Sequence, residues 1–534
     1  MTPKPKELLE KAIALDPKHP EAHYKLGLLN KSEGKLDEAL ENFLQAVTLN
    51  PNYSDAECAF AISLMDRGDL EEARNHFLNS LEINPNYSDA YFNYGLLLIK
   101  LGDLEEAKNN FDKVTEIDQN YAAAYFYKAT LLTNADDFEE AKKNYETAID
   151  ISPSFVDSYY YLGKLLSGGI ATNKEGTLID KKDLTEALSL FKQAISLSEN
   201  HPKANYNIAK ILYSQKKYKQ AKNHLIQAIA QGENYAKAHF LLGKVYLELN
   251  NFNLAEKHFN ESIISNPNAP EPYFWLGKLN YNKNNLSVAE ENLLKSVNID
   301  DSNCDCHYYL AMIYREDDDA SLAKKYFYKA LELNPEFTLA YYQLGHHTEK
   351  NGDPNEAKIH FQKSTDIDQN FVEGYFHLAR ILNSPAEYDL ALRNYETALE
   401  IDPCHEPSHY HFALLLSGGN SIAKDGSPVD KSDPERAIFH FQKAIELDAT
   451  SYKPHFKLAL LMYQNQKYKE AFFHLQKAIE INPSFADAHY ELAVLLMDES
   501  AQKVLVDYAS NQSSGNLNKN GKKQRRKSPK SAKS

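Results

Sequence analysis

The chain has 534 residues, 43% of them hydrophobic, and a formal net charge of −16. This apolar content is enough for a folded core, whereas the negative charge disfavours general binding of nucleic acid, because phosphate contacts need a basic surface. The four cysteines are too few and too scattered for a disulfide framework, and no stretch approaches the roughly 18 apolar residues of a membrane helix. With no signal-peptide core at its N-terminus, the chain is expected to be cytoplasmic, with no membrane association.

Residues 1–19 contain a single helical segment, from about Pro5 to Leu15. From Pro20 onwards the sequence repeats in a 34-residue window, which begins at 20, 54, 88, 122, 156, 202, 236, 270, 304, 338, 372, 406, 452 and 486. Each window contains two apolar runs of helical period, separated by a turn such as Gly68-Asp69. Residues 1–19 are therefore predicted to be a half repeat that supplies only a second helix.

Small residues recur at fixed positions of the window. The eighth position is Gly or Ala in all fourteen windows, from Gly27 to Ala493, and the twentieth is Ala in all thirteen complete ones, from Ala39 to Ala471. Two helices that cross at close range leave room for no more than a methyl group at the contact. Proline at position 32, as at Pro51, ends the second helix.

The windows at 156 and 406 carry twelve extra residues, within 167–183 and 417–433. These inserts lie 250 residues apart, and other segments recur at the same distance. We therefore predict two seven-repeat blocks, at 20–269 and at 270–509, the second ending in a C-terminal cap. The inserts could be partner contacts or calcium loops, although their acidic spacing does not fit a calcium loop; the alternative is turns in which Asp183 and Asp433 cap helices.

Residues 510–534 are rich in Asn, Ser and Lys and are predicted to be disordered. Eight basic and no acidic residues follow position 518, which leaves 51 basic against 75 acidic residues in the rest of the chain. The basic segment 519–533 resembles a nuclear import signal, so a nuclear location is the alternative if the source is eukaryotic. Nucleic acid is expected to bind weakly, through this tail, or not at all.

The pattern of Gly or Ala, Ala and Pro at 34-residue spacing resembles the tetratricopeptide repeat family. The resemblance implies an all-α, right-handed solenoid of about 14 helix-turn-helix repeats, whose first helices line a concave groove that holds peptides. It predicts a protein-interaction scaffold or adaptor that is not an enzyme. The alternative is a non-catalytic targeting subunit of a multisubunit enzyme, such as a glycosyltransferase or ubiquitin-ligase assembly.

Positions 2, 5 and 9 share one face of the first helix. Position 5 is aromatic in thirteen of the fourteen windows, and lysines accumulate at positions 2 and 9 in the middle of the chain. The candidate peptide-binding residues are Tyr160, Lys164, Lys203, Tyr206, Lys210, Lys237, Phe240, Lys244, Phe274 and Lys278. This combination favours an acidic segment or a peptide carboxylate as the ligand. The alternative is that the aromatic residues pack and the lysines form a solvated basic face.

Two short motifs have the spacing of metal ligands. His405-Glu-Pro-Ser-His409 matches a zinc-protease pattern, and Cys304-Asp-Cys306-His307 places three ligand types together. In the repeat register His405 precedes the helix, and His409 occupies a position where histidine recurs in other windows. No phosphate-binding loop or nucleophile motif is present, so we predict no catalytic residue, no metal site and no cofactor.

Overall fold

The computed structural model describes residues 5–172, 178–232, 235–418, 420–422 and 427–506 of the chain. The chain divides into two compact units, Met1–Asn268 and Ala269–Ser534. Each unit is a succession of antiparallel helix pairs.

The first unit contains fifteen α-helices among its described residues. Their bounds are α1 Pro5–Leu15, α2 Pro20–Ser32, α3 Leu36–Leu49, α4 Ser54–Arg67, α5 Leu70–Ile83, α6 Ser88–Leu101, α7 Leu104–Ile117, α8 Ala122–Leu131, α9 Phe138–Ile151, α10 Val156–Gly168, α11 Leu184–Leu197, α12 Pro202–Ser214, α13 Tyr218–Gln231, α14 Ala236–Glu248 and α15 Phe252–Ser265.

The second unit repeats this arrangement. Its helices are α16 Pro270–Asn282, α17 Leu286–Ile299, α18 Cys304–Glu316, α19 Ala320–Leu333, α20 Thr338–Lys350, α21 Pro354–Ile367, α22 Val372–Ile381, α23 Tyr388–Ile401, α24 Glu406–Gly418, α25 Pro434–Leu447, α26 Tyr452–Gln464, α27 Tyr468–Ile481 and α28 Ala486–Met497. Residues 499–506 are also helical, and Ala501 within them is fully buried. Short 3-10 turns at Ala135–Asp137 and Pro385–Glu387 precede α9 and α23.

A large side chain at position 24 of each complete repeat explains the small residue at position 8. Phe43 and Phe361 are fully buried, and a Cβ atom on Gly27 or Gly345 would lie only 2.7 Å from the nearest carbon of the corresponding ring. The second helix thus inserts its aromatic ring against the backbone of the first. This contact confirms the predicted close crossing, and the all-α solenoid is confirmed with it.

The inserts form structure that the sequence did not predict. Strands β1 Ile170–Thr172 and β2 Leu178–Asp180 pair antiparallel, as do β3 Asn420–Ile422 and β4 Pro428–Asp430. Strands of three residues are too short to show the alternating pattern of a half-buried strand. Residues 173–177, 419 and 423–426 of the inserts lie outside the described residues, as does the basic tail.

Each hairpin leads into a capped helix. The Asp183 carboxylate accepts hydrogen bonds from the amides of Thr185 and Glu186, and the Asp433 carboxylate accepts one from the amide of Arg436. The predicted capping roles are confirmed, and they fix where α11 and α25 begin. Among the described residues, no helix is both long and apolar enough to cross a membrane.

Candidate peptide-binding face

The first helices of consecutive repeats lie side by side. In the first unit α10 contacts α12, which in turn contacts α14, and in the second unit α16 contacts α18. Positions 2, 5, 6, 9 and 12 of first helices that contact one another therefore form a row within each unit. We call this row, with the junction residue before each first helix, the first-helix face.

The aromatic residues at position 5 mainly pack within the solenoid. The ring of Tyr160 lies 5.0 Å from the ring of His201 at the next junction, and the ring of Tyr206 lies 5.3 Å from that of Tyr235. Burial raises the pKa of the Tyr160 and Tyr206 phenols. Phe240 packs on Phe259 of its own repeat, with ring centroids 5.9 Å apart. These rings shape the face but present little surface to a ligand.

The lysines of the first unit differ from these rings, because Lys164, Lys203, Lys210 and Lys237 are exposed. Within the described residues, no carboxylate forms an ion pair with any of the four amines. By contrast, Lys142 on the second helix α9 lies within 4.0 Å of two glutamates. The face thus presents cationic groups that the fold itself does not neutralise.

Lys244 is half-buried. Its amine lies 5.2 Å from the ring centroid of Tyr213 and 5.9 Å from that of Phe240, at cation–π distances. Burial lowers the pKa of this amine. Lys244 is therefore held against aromatic rings and is less available to a ligand than the exposed lysines.

Phe274 and Lys278 lie in the second unit. Phe274 is only 6% exposed, and it is a core residue. The Lys278 amine lies 5.2 Å from the ring centroid of Trp275 and 5.4 Å from that of Tyr309. The structure thus places eight of the ten candidate residues together in the first unit and these two in the other.

Clefts open beside three of the exposed lysines. Lys164 borders an apolar cleft of about 350 Å³ that reaches the first residue of the hairpin, Ile170. Lys210 borders one of about 270 Å³ with Asn207 and Ser214, and Lys203 borders one of about 250 Å³. Shallow clefts next to cationic groups suit the side chains of an extended peptide.

The two motifs with metal-ligand spacing do not converge on a common point. His405 Nε2 lies 3.3 Å from a carboxylate oxygen of Glu373, whereas His409 Nδ1 lies 2.8 Å from His440 Nδ1. In the second motif, the buried Cys306 thiol donates to the Ser296 hydroxyl at 3.4 Å. These residues are used in local packing, and neither motif forms a ligand set.

A histidine cluster on the second unit's first-helix face was missed. It consists of His346, His377, His405 and His411, which come from three consecutive repeats. Burial lowers the pKa of His346 and His411, and burial with neighbouring positive groups lowers that of His377 to about 3. Comparing residues 250 positions apart would have found the cluster, since the first copy has no histidine at these places.

Comparison with known proteins follows the same repeats. Models described as "Tetratricopeptide repeat" match residues 20–53, 64–131, 122–155, 178–234, 212–279, 305–337 and 339–371, and one described as "TPR repeat" matches 461–498. No curated protein sequence matches the chain.

Solved structures of similar fold include the APC/C hetero-tetramer Cut9-Hcn1, at 16% identity over 91% of this chain and 92% of that chain, with a TM-score of 0.35. Yeast Tom70 is similar at 17% identity over 92% of this chain and 99% of its own, with a TM-score of 0.32. YrrB, a TPR protein with an unusual peptide-binding site, is similar at 21% identity over 40% of this chain and 99% of its own, with a TM-score of 0.31. Similarity at this level concerns the fold alone and does not identify the partner of this chain.

The family matches, the repeated helix pairs and the invariant small residues agree with one another. The chain belongs to the tetratricopeptide repeat family, whose members are generally non-catalytic protein-interaction scaffolds.

Proposed function

We propose that this chain is a scaffold that binds an extended, acidic segment of a partner protein along the first-helix face of its first unit. The proposal rests on one observation: Lys164, Lys203, Lys210 and Lys237 are exposed and have no ion-pair partner among the described residues, in a chain with an excess of acidic residues. Basic clusters of this kind recognise acidic motifs through charge-assisted hydrogen bonds.

The spacing of the repeats predicts the spacing of the ligand. Neighbouring helices pack about 8–10 Å apart, and an extended peptide advances about 3.3 Å per residue. Acidic side chains about three residues apart would therefore meet lysines of successive repeats, such as Lys203 and Lys237. Peptide side chains between them would face the clefts beside Lys203 and Lys210.

A peptide-display selection on the full chain tests the proposal. The enriched peptides should carry an excess of Asp and Glu at about this spacing, and fluorescence anisotropy of labelled copies gives their affinities. The variant K203E/K210E/K237E should weaken binding more than tenfold, because each substitution replaces an attraction with a repulsion. Raising the ionic strength should weaken wild-type binding as well.

The matched control is K192E/K219E/K257E, which changes the net charge equally on exposed positions of the second helices α11, α13 and α15. It should alter affinity less than twofold. Equal effects of the two variants, or enriched peptides without an excess of acidic residues, would remove this face as the binding site.

A further inference from the structure

The histidine cluster is compact. The rings of His346 and His377 meet edge to face, with centroids 4.2 Å apart. His405 and His411 lie against the ring of Phe376, with centroids 5.3 and 5.5 Å away. Four imidazoles from α20, α22, α24 and the junction before α24 thus share one region of the second unit's first-helix face.

Three side chains at one end of this cluster direct ligand atoms to a common point. A ring nitrogen of His346, a ring nitrogen of His377 and a carboxylate oxygen of Glu349 all lie within 4.8 Å of one another. His346 and Glu349 are three residues apart on α20, so both lie on one side of that helix. Imidazole nitrogen and carboxylate oxygen are ligands of Zn²⁺, at about 2.0–2.2 Å. Side-chain rotations that move these atoms by about 1 Å would bring them to such distances from one ion.

A positive charge already lies at this point. Arg380 Nη2 donates to both carboxylate oxygens of Glu349, at 2.8 and 2.6 Å, and lies 3.3 Å from His377 Nδ1. Acceptor atoms from two repeats thus converge on one cationic nitrogen. A metal ion at the same place would compete with the guanidinium for the same ligands.

A second carboxylate supports His377 from the other side. Glu373 Oε2 lies 3.9 Å from His377 Nε2, while Glu373 Oε1 lies 3.3 Å from His405 Nε2. Imidazoles that bind metal commonly have a carboxylate beside the ring nitrogen that is not a ligand, and this carboxylate orients the ring. When Nδ1 is the ligand atom, Glu373 lies on the side where such a carboxylate would be, at 3.9 Å, which is longer than a hydrogen bond.

The fold does not need these polar residues. The positions 250 residues earlier hold Leu96 for His346, Ile99 for Glu349, Tyr127 for His377 and Thr130 for Arg380. The first unit builds the same helices around this uncharged set. Because partly buried charged groups cost solvation energy, their presence in one copy alone indicates a ligand rather than a packing requirement.

We propose that His346, His377 and Glu349 form a binding site for a divalent transition-metal ion of the Zn²⁺ type. Arg380 is the group that the ion displaces from Glu349. Three protein ligands leave a fourth coordination position, which is open to water or to a donor atom of a bound partner. No metal site is predicted here from the sequence, because the ligands come from two repeats and share no local motif.

The experiment is a calorimetric titration of the full-length, EDTA-treated chain with Zn²⁺ and, separately, with Mg²⁺. All proteins carry Cys404→Ser, because the exposed Cys404 thiol would bind zinc by itself. The chain is expected to bind Zn²⁺ and not Mg²⁺, since imidazole ligands favour zinc over magnesium. The variant H346L/H377Y, which takes the residues of the first unit, should lose zinc affinity at least tenfold.

Arg380→Thr provides the opposite test. It takes the residue of the first unit, frees Glu349 and removes a repelling charge, so zinc affinity should rise at least threefold. Equal zinc affinity of wild type and H346L/H377Y overturns the site, as does equally tight binding of Mg²⁺ or weaker zinc binding by Arg380→Thr. If H346L/H377Y fails to fold by circular dichroism, Arg380→Thr decides alone, and unchanged or weaker zinc binding overturns the site.

Discussion

The repeats that begin at 88, 122 and 156 and those that begin at 338, 372 and 406 are the same scaffold with two different surfaces. Both sets contain a shortened ten-residue first helix, α8 and α22, followed by a 3-10 turn, and in the last repeat of both a hairpin lies between a first helix of 13 residues and its second helix. Their buried aromatic residues agree, as Phe111 does with Phe361. Their first-helix faces differ where the second copy has the histidine cluster, Glu349 and Arg380, because the first copy has only uncharged residues at those places. The scaffold and the surface are thus specified by different positions of the same repeat.

Because the two copies share one scaffold, removing the same core side chain should lower local stability equally in both. Phe111→Ala and Phe361→Ala each remove a fully buried ring and should cost about 3–5 kcal/mol of local stability. Hydrogen exchange measured by mass spectrometry across α6–α7 and α20–α21 reports these losses separately in the intact chain. The matched controls Leu104→Ala and Ile359→Ala remove half-exposed side chains of the same second helices and should cost far less. A large loss in one copy with none in the other would contradict the shared core.

Lowering the pH should destabilise the second copy more than the first. His409 and His440 lie with their Nδ1 atoms 2.8 Å apart, and 250 residues earlier the pair is Tyr159 and Leu190. Burial lowers the pKa of both imidazoles. The pKa of His440 falls to about 4, because the positive charges of His409 and Arg436 also disfavour its protonation. Their stabilisation is complete above the unfolded pKa of about 6.5 and is lost as the pH falls from there towards 4.

Protection of α24 and α25 should therefore fall about tenfold between pH 7 and pH 5, after correction for intrinsic exchange. Protection of α10 and α11, which lack the pair, should change much less over the same range. The variant H409Y/H440L takes the residues of the first copy and should remove most of the difference, the rest coming from His411 of α24, whose pKa burial also lowers. Persistence of the acid effect in that variant would assign it to other groups.

A serine shared by the two copies should behave differently in each. Ser158 and Ser408 are both fully buried. The Ser408 hydroxyl lies 2.7 Å from His405 Nδ1, whereas the Ser158 hydroxyl has no hydrogen-bond partner among the described residues. Ser408→Ala should cost about 1 kcal/mol, and Ser158→Ala should be neutral or slightly stabilising. Exchange rates in α24 and α10 measure both effects, and equal losses would show that the hydrogen bond to His405 contributes nothing.

The sequence predicted the scaffold well because its rules are local and repeated. The contact of Gly27 with Phe43 is within one window, and thirteen more windows repeat the small residue at the eighth position. The first-helix face is harder to predict, because side chains such as Glu349 and His377 meet across repeats. The hairpins were missed for a different reason, since strands of three residues show no period. The lysine face was visible in sequence, but only the structure separates exposed Lys210 from half-buried Lys244.

The hairpins offer the smallest test, because both copies attach them in the same way. Lys181 pairs with Glu139 in the first copy, and Lys431 pairs with Asp389, at 2.7 Å, in the second. These ion pairs are largely exposed, so Lys181→Ala and Lys431→Ala should each cost no more than about 1 kcal/mol. The melting temperature should stay unchanged, while exchange at residues 178–180 and 429–430 should accelerate, because each lysine ties a hairpin to the second helix of the preceding repeat. Unchanged exchange in both variants would mean that the strand pairing alone holds the hairpins, and acceleration in only one copy would show that they are attached differently.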